Sequence, residues 1–469
     1  MQSFRIFRHY IPASFLILGF FEVLVFCLSF YAGVYLRFSG DAQTVAEHFG
    51  PLEMKALIYS AVMMISMVAF GLYDRASWFM DGYSNMLLRV VACFLFSIFP
   101  LSVLFYLAPE TSLWRGATLL VLALSLLGVI GIRAFFLQMV DHSIFKRRAL
   151  VLGIGKRAST VEKLLGNTPL MGVDVIGYVQ VADDDMHVND QAVIVYDRSL
   201  SKIVKEGRVD EIVLAVDDRR KGMPVTELLD CKMEGVDVID LLTFLERETG
   251  KVNLALMNPS WLFLSDGFRV STVRLIAKRV FDIFVSLMLL PVFLPVMVLV
   301  AAAVWFESRG MEPVIYKQVR VGEGNKNFTI YKFRSMGANA EGDGVARWAE
   351  KNDMRVTRVG KFIRKVRLDE LPQIFNILKG DMSFVGPRPE RPEFVGSLEK
   401  DHSYYRERHR VKPGLTGWAQ VCYQYGDSLE DAYEKLEYDL YYVKNYSVFL
   451  DLLIIIQTIR VVLAGQGAH

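Results

Sequence analysis

The sequence predicts a membrane protein in three parts: an α-helical transmembrane bundle, an α/β Rossmann-like domain, and an α+β domain that carries a re-entrant membrane helix. Three observations predict it. Four long apolar runs fill the first third of the chain. A short apolar run leading into Gly153 and Gly155 opens a soluble middle, and a fifth apolar run, interrupted by prolines, precedes a charged, turn-rich C-terminal region. A chain of 469 residues is too long for one hydrophobic core, and with 53% hydrophobic residues part of it must sit in lipid. The reading assigns residues 1–145 to a four-helix transmembrane domain, 146–250 to the α/β domain, 251–277 to a linker and 278–469 to the C-terminal domain.

The apolar runs cover residues 11–36, 54–73, 86–108 and 113–140, each long enough to cross about 30 Å of hydrocarbon. The first is too long for a signal peptide and is followed by further spans rather than a cleavage site, so it is expected to be retained. Arg5 and Arg8 precede it, and Lys146, Arg147 and Arg148 follow the fourth run. An even number of crossings with basic residues at both ends places the N-terminus and everything after Lys146 in the cytoplasm. Glu22 is an acidic residue inside a span, with no role assigned to it. A net charge of +2 gives no electrostatic footprint for nucleic acid. Cys27 and Cys93 lie in apolar runs and Cys231 and Cys422 are isolated, so neither a zinc site nor a disulfide framework is expected.

In the middle, residues 149–152 lead into Gly153, Gly155 and Ala158, a strand, turn and helix with the G-x-G-x-x-A spacing of a dinucleotide fold. Further β-like runs at 173–179 and 211–216 alternate with helical patterns at 159–166 and 225–234, which predicts a parallel sheet. Two alternative functions attach to this domain: a membrane-tethered nucleotide-sugar oxidoreductase or dehydratase, and a non-catalytic nucleotide-sensing regulator. The first lacks the Tyr-x-x-x-Lys pair that such enzymes carry. Asp183, Asp184 and Asp185 read as a solvated turn. The domain is expected to be structural or regulatory.

The fifth run, residues 280–306, holds Asp282, Pro291 and Pro295. Lys278 and Arg279 precede it, and Arg309, Lys317 and Arg320 follow, so both of its ends are expected on the cytoplasmic side. Pro295, helped by Pro291, is the expected break at which the helix bends and turns back. The carbonyls it frees must then be satisfied by protein.

Two β-like runs around Gly322 and Gly324 predict a hairpin, on whose second strand Lys332 and Arg334 share one face by period two. Residues 358–368 form a basic amphipathic helix: Val359, Phe362, Ile363 and Val366 on one side, Arg358, Lys361, Arg364, Lys365 and Arg367 on the other. Such helices lie on bilayers or pack on a core with their charges in water. It runs into Asp369 and Glu370, just before Leu371 and Pro372. The restriction on the residue before a proline predicts a break near Leu371, with Pro372 in the first turn of a new helix. The start of that helix favours ionised carboxylates and also welcomes phosphate. Arg388, between Pro387 and Pro389, offers a stiffly held fork suited to phosphate. Trp418 is read as stacking on a base or sugar, or as sitting at the membrane interface. Residues 447–463, apolar but interrupted by Asp451, Gln457 and Arg460, read as an interfacial helix.

These blocks, residues 278–282, 331–336, 368–373, 380–389, 412–421 and 439–443, resemble in order the bacterial sugar transferases known as polyprenyl-phosphate phosphoglycosyl transferases. The full architecture resembles the long members that initiate exopolysaccharide, O-antigen or capsule assembly. One departure is Leu294, where some small members carry serine before the proline of the break. The resemblance implies that a UDP-sugar and undecaprenyl phosphate react at the cytoplasmic face of the bacterial inner membrane, giving undecaprenyl-diphospho-sugar and UMP. Asp369 matches the nucleophile that forms a covalent phospho-sugar intermediate, and Glu370 matches its dyad partner. Lys332, Arg334, Arg388 and Asp439 match the phosphate and substrate side. Mg²⁺ is implied, touched by Asp369 or Glu370 and completed by substrate oxygens. The motifs handle phosphates rather than sugar hydroxyls, so glucose, galactose and N-acetylated sugars all fit, and a middle domain without catalytic duty suits a homodimer.

Overall fold

Four helices form where the four apolar runs lie: α1 (Ala13–Arg37), α2 (Leu52–Ala69), α3 (Tyr83–Leu107) and α4 (Arg115–Asp141). The computed structural model describes the whole chain except residues 1–3, 7–8, 39, 50, 74–82, 142–145, 168–172, 182–184, 197–198, 219–222, 258–260, 262–264, 266, 269–270, 338–354, 403, 424–428 and 464–469. Asp183 and Asp184 therefore lie outside the described residues. The chain divides into two units, Met1–Ile6 with Tyr10–Glu248, and Phe7–His9 with Thr249–His469.

In the first unit each of the four helices is long and apolar enough to cross a membrane. Their shared core holds Phe26, Phe30, Tyr59, Met63, Phe94 and Val121, while Phe20, Leu28, Leu88 and Phe99 face outward. Glu22 on α1 has a partner that its sequence neighbourhood does not reveal. Its Oε1 accepts from Arg133 Nε of α4 at 2.7 Å, and neither side chain has any exposure. Arg133 Nη1 also donates to the Leu72 carbonyl at 3.1 Å, and the Tyr73 hydroxyl donates to Glu22. Leaving either charge alone there would cost about 3–5 kcal/mol, so the pair pins α1 against α4.

Five parallel strands follow: β1 (Arg147–Leu152), β2 (Val173–Val179), β3 (Val193–Ile194), β4 (Glu211–Leu214) and β5 (Asp237–Asp240), side by side in the order β3-β2-β1-β4-β5. Helix α5 (Lys156–Asn167) starts just after β1. A Cβ on Gly155 would stand 2.2 Å from Asp217 Oδ2, because that carboxylate sits over the helix start and accepts from Lys156 N and Arg157 N at 2.9 and 2.8 Å. At this end of β1, where the Gly-x-Gly spacing anticipates a phosphate, the protein places its own carboxylate.

The second unit is built on helix α6 (Thr272–Glu307), which is also long and apolar enough to cross a membrane. The chain stays helical through Pro291 and Pro295, which remove two N–H donors without ending the helix. Apolar surroundings tolerate this where neighbouring groups re-satisfy the freed carbonyls. Burial along α6 stops at Ser286 and resumes at Met297; none of residues 287–296 is buried.

Both ends of α6 are bonded to the same unit. Near its start Lys278 Nζ donates to Asp451 Oδ2 at 2.6 Å and to the Val385 carbonyl at 2.9 Å, Arg279 donates to the carbonyls of Ile377 and Leu378, and Asp282 accepts from Ser383 Oγ and Phe384 N. Near its end Met297, Val300 and Val304 pack with Phe333 and Ile363, and Glu307 Oε1 accepts from Val359 N at 3.0 Å.

The expected hairpin forms as β6 (Ile315–Val321) and β7 (Asn327–Phe333), antiparallel, with Lys332 opposite Tyr316. Two short parallel strands, β8 (Ser383–Val385) and β9 (Gly414–Thr416), lie beside the last helices, α7 (Leu429–Asn445) and α8 (Val448–Leu463). Asp451 on α8 is fully buried on Lys278 and Tyr442, and Leu450 and Ile454 belong to the core. Of the three residues on which the interfacial reading of this helix rests, Asp451, Gln457 and Arg460, the first is paired inside the protein.

Candidate active site

The basic helix runs from Arg358 to Lys365, with the Thr357 hydroxyl capping it by accepting from Gly360 N at 2.9 Å. Ile363 enters the core as expected, whereas Phe362 is 62% exposed, on the outside with Arg358 and Lys361. The chain reverses at Arg367, whose φ of 59° is left-handed, and Leu368–Glu370 make a single 3₁₀ turn. The break anticipated near Leu371 is thus corrected. Leu371 stays helical at φ −53° and ψ −37°, its N–H on the Leu368 carbonyl, because Arg367 has already taken the reversal. Pro372 then caps a short helix, Gln373–Lys379.

This turn buries both carboxylates, each residue 8% exposed. Glu370 Oε1 accepts from Lys332 Nζ at 2.9 Å and from Arg388 Nη2 at 3.1 Å, and its Oε2 lies 4.0 Å from Arg367 Nη1. Asp369 makes no hydrogen bond or ion pair with any described residue. The two acids are pushed apart. Burial, then the neighbouring Glu370 charge, raise the Asp369 carboxyl to about 6. Burial acts to raise Glu370 as well, but Lys332, Arg388 and Arg367 outweigh it and hold that carboxyl well below its ordinary range. One carboxylate is locked as an anion among cations; the other has no bond to a described residue and becomes an anion near neutral pH.

Of the cations anticipated from sequence, Lys332 and Arg388 converge on the dyad. Arg334 Nη1 instead lies 2.8 Å from Glu312 Oε2. Asp439 is 2% exposed and paired with Arg408 at 2.7 Å rather than with the dyad. Trp418 has neither role foreseen for it: it is 8% exposed, donates to the Gly250 carbonyl at 2.8 Å and stacks on Tyr441, because its loop folds onto the core. The sequence places Arg367 on the outer face of a helix, offers Arg320 only as a flanking charge and gives no signal for Arg408, since only the fold brings them to the dyad and to Arg388.

The chain thus combines apolar helices long enough to cross a membrane with a buried carboxylate pair contacted by Lys332, Arg367 and Arg388. Residues 273–465 match the family model for bacterial sugar transferases. The chain is 30% identical to the UDP-glucose:undecaprenyl-phosphate glucose-1-phosphate transferase of Xanthomonas campestris pv. campestris over 87% of each chain, and 36% identical to the enzyme of that name from Klebsiella pneumoniae over 67% of each. It is 43% identical to the UDP-N-acetylgalactosamine-undecaprenyl-phosphate N-acetylgalactosaminephosphotransferase of Aeromonas hydrophila over 56% of this chain, a match that spans 61% of that relative. The chain belongs to the bacterial sugar transferase family.

Proposed function

We propose that this protein transfers a sugar-1-phosphate from a UDP-sugar to undecaprenyl phosphate at the cytoplasmic face of the bacterial inner membrane, releasing UMP. The observation that carries this reading is the buried Asp369 carboxylate, without a bond to any described residue, beside a Glu370 held ionised by three cations. Asp369 attacks the sugar-bearing phosphorus, forming an O–P bond as the bond from that phosphorus to the bridging oxygen breaks, and UMP leaves with the bridging oxygen. An oxygen of the lipid phosphate then attacks the same phosphorus and frees the carboxylate. Splitting the transfer in this way lets a water-soluble donor and a lipid acceptor use one site in turn. Lys332 and Arg388 are only half-buried, so they present positive charge to the entering diphosphate and stabilise the charge on departing UMP.

Mg²⁺ belongs to this proposal. Among the described residues no three candidate ligands cluster, so the protein's share is the carboxylates of Asp369 and Glu370, with substrate oxygens completing the shell, which is how this ion is commonly held. When bound it neutralises diphosphate charge. The test of the activity is UMP release across a panel of UDP-sugars, with labelled sugar recovered in the lipid fraction. Release dependent on undecaprenyl phosphate for at least one sugar is expected; no release with any would remove the reading. Because the relatives named above act on different sugars, the panel also identifies the donor.

We read α6 as re-entrant. Its support is that Lys278, Arg279 and Asp282 at one end and Glu307 at the other bond to one unit, while none of residues 287–296 between them is buried. In a variant without its native cysteines, single cysteines at Val273→Cys and Met311→Cys are expected to react with an impermeant thiol reagent from the cytoplasmic side only. Labelling from opposite sides would make α6 a crossing. The parallel sheet we read as Rossmann-like, supported by its strand order, and as structural, supported by Asp217 occupying the helix start.

A further inference from the structure

Arg388 lies in a Pro-Arg-Pro run, and the main chain there is held through its carbonyls. Four successive carbonyl oxygens, those of Pro387, Arg388, Pro389 and Glu390, each accept from a different donor: Gly414 N at 3.0 Å, Arg408 Nη2 at 3.0 Å, Arg320 Nη1 at 3.1 Å and Val321 N at 3.0 Å. The donors come from β9, from the turn at Tyr405–Arg410, and from β6. A Cβ on Gly386 would stand 2.2 Å from the Lys412 carbonyl, and one on Gly414 would stand 2.1 Å from Gly386 N, so the two loops close up only because both residues lack side chains.

Two of these four bonds come from guanidinium groups, which bind a carbonyl more strongly than a neutral donor does. Arg408 is itself fixed from behind. It is 5% exposed, its Nε and Nη2 lie 3.0 and 2.7 Å from Asp439 Oδ2, and its Nη1 donates to the Tyr405 hydroxyl. Arg320 is fixed by Gln318 Oε1, at 3.0 Å from Nε and 2.7 Å from Nη2. A buried ion pair such as Arg408–Asp439 adds little net stability over an apolar replacement. What it supplies here is a fixed donor aimed at the one carbonyl directly behind the arginine that meets Glu370.

We propose that Arg408 and Arg320 are positioning residues for Arg388, and that Asp439 acts through Arg408 rather than on substrate or metal. The clamp holds the Arg388 guanidinium at hydrogen-bond distance from Glu370, and displacements of about 1 Å at such a group cost up to about 10²-fold in rate. The inference rests on the transferase reading above.

The test is a double-mutant cycle on the full-length enzyme, measuring UMP release under single-turnover conditions. Arg408→Met is expected to slow the reaction by about tenfold or more in the wild-type background, and by less than about twofold once Arg388→Ala is present. Asp439→Asn should follow the same pattern. A residue that merely supported the fold would lower the rate equally in both backgrounds. Equal losses, or no loss in the wild-type background, would overturn the inference. Should Arg408→Met fail to accumulate, Arg320→Met, which of the four carbonyls releases only that of Pro389, completes the same cycle. Failure of the underlying reading looks different: a wild-type protein that releases no UMP, in place of an active enzyme whose losses add.

Discussion

Asp369→Asn is expected to abolish UMP release and sugar transfer to lipid, a loss on the order of 10³-fold or more, while leaving the membrane fold intact. The amide has the size of the carboxylate but cannot supply the attacking oxygen. Asp369 makes no ion pair or hydrogen bond with a described residue, so the exchange breaks no interaction that holds the 3₁₀ turn. The thermal midpoint in detergent should therefore match that of the wild type. Substantial turnover in this variant would remove Asp369 as the nucleophile.

Glu370→Gln is expected to lower kcat by roughly 10²-fold and to move the pH profile. The rate falls because Lys332 and Arg388 lose the anion on which both converge, at 2.9 and 3.1 Å. The shift has a definite sign. Asp369 acts as a carboxylate and its carboxyl is raised to about 6, first by burial and then by the Glu370 charge, so wild-type kcat/KM should fall as the pH drops through about 6. With Gln at 370 the like charge is gone while Lys332 and Arg367 remain, so the acid limb should move to lower pH. A limb that stays in place or moves upward would contradict the assignment of roles within the dyad.

The parts of this account that were legible in the sequence depend on local composition or spacing. The apolar runs long enough to cross hydrocarbon mark α1 to α4, and the two β-like runs around Gly322 and Gly324 mark the β6–β7 hairpin. The approach of Lys332 and Arg388 to the dyad follows motifs whose order survives in the chain. Contacts between distant positions were not legible. Arg133 lies 111 residues from Glu22, and Lys278 lies 173 from Asp451, so a charge that looks solvated or unexplained in its own window has its partner elsewhere. Period two placed Arg334 beside Lys332, but β7 ends at Phe333, and Arg334 turns to Glu312.

The central claim is that Asp369 carries the sugar phosphate between donor and lipid. Mass measurement of the purified protein and its peptides, after mixing with the UDP-sugar donor in the absence of lipid, tests it most directly. The account predicts a gain of one sugar-phosphate on the peptide containing Asp369, lost when undecaprenyl phosphate is added and absent from Asp369→Asn. An unmodified Asp369 peptide in an enzyme that still transfers sugar at its full rate would contradict it, since donor and acceptor would then react directly.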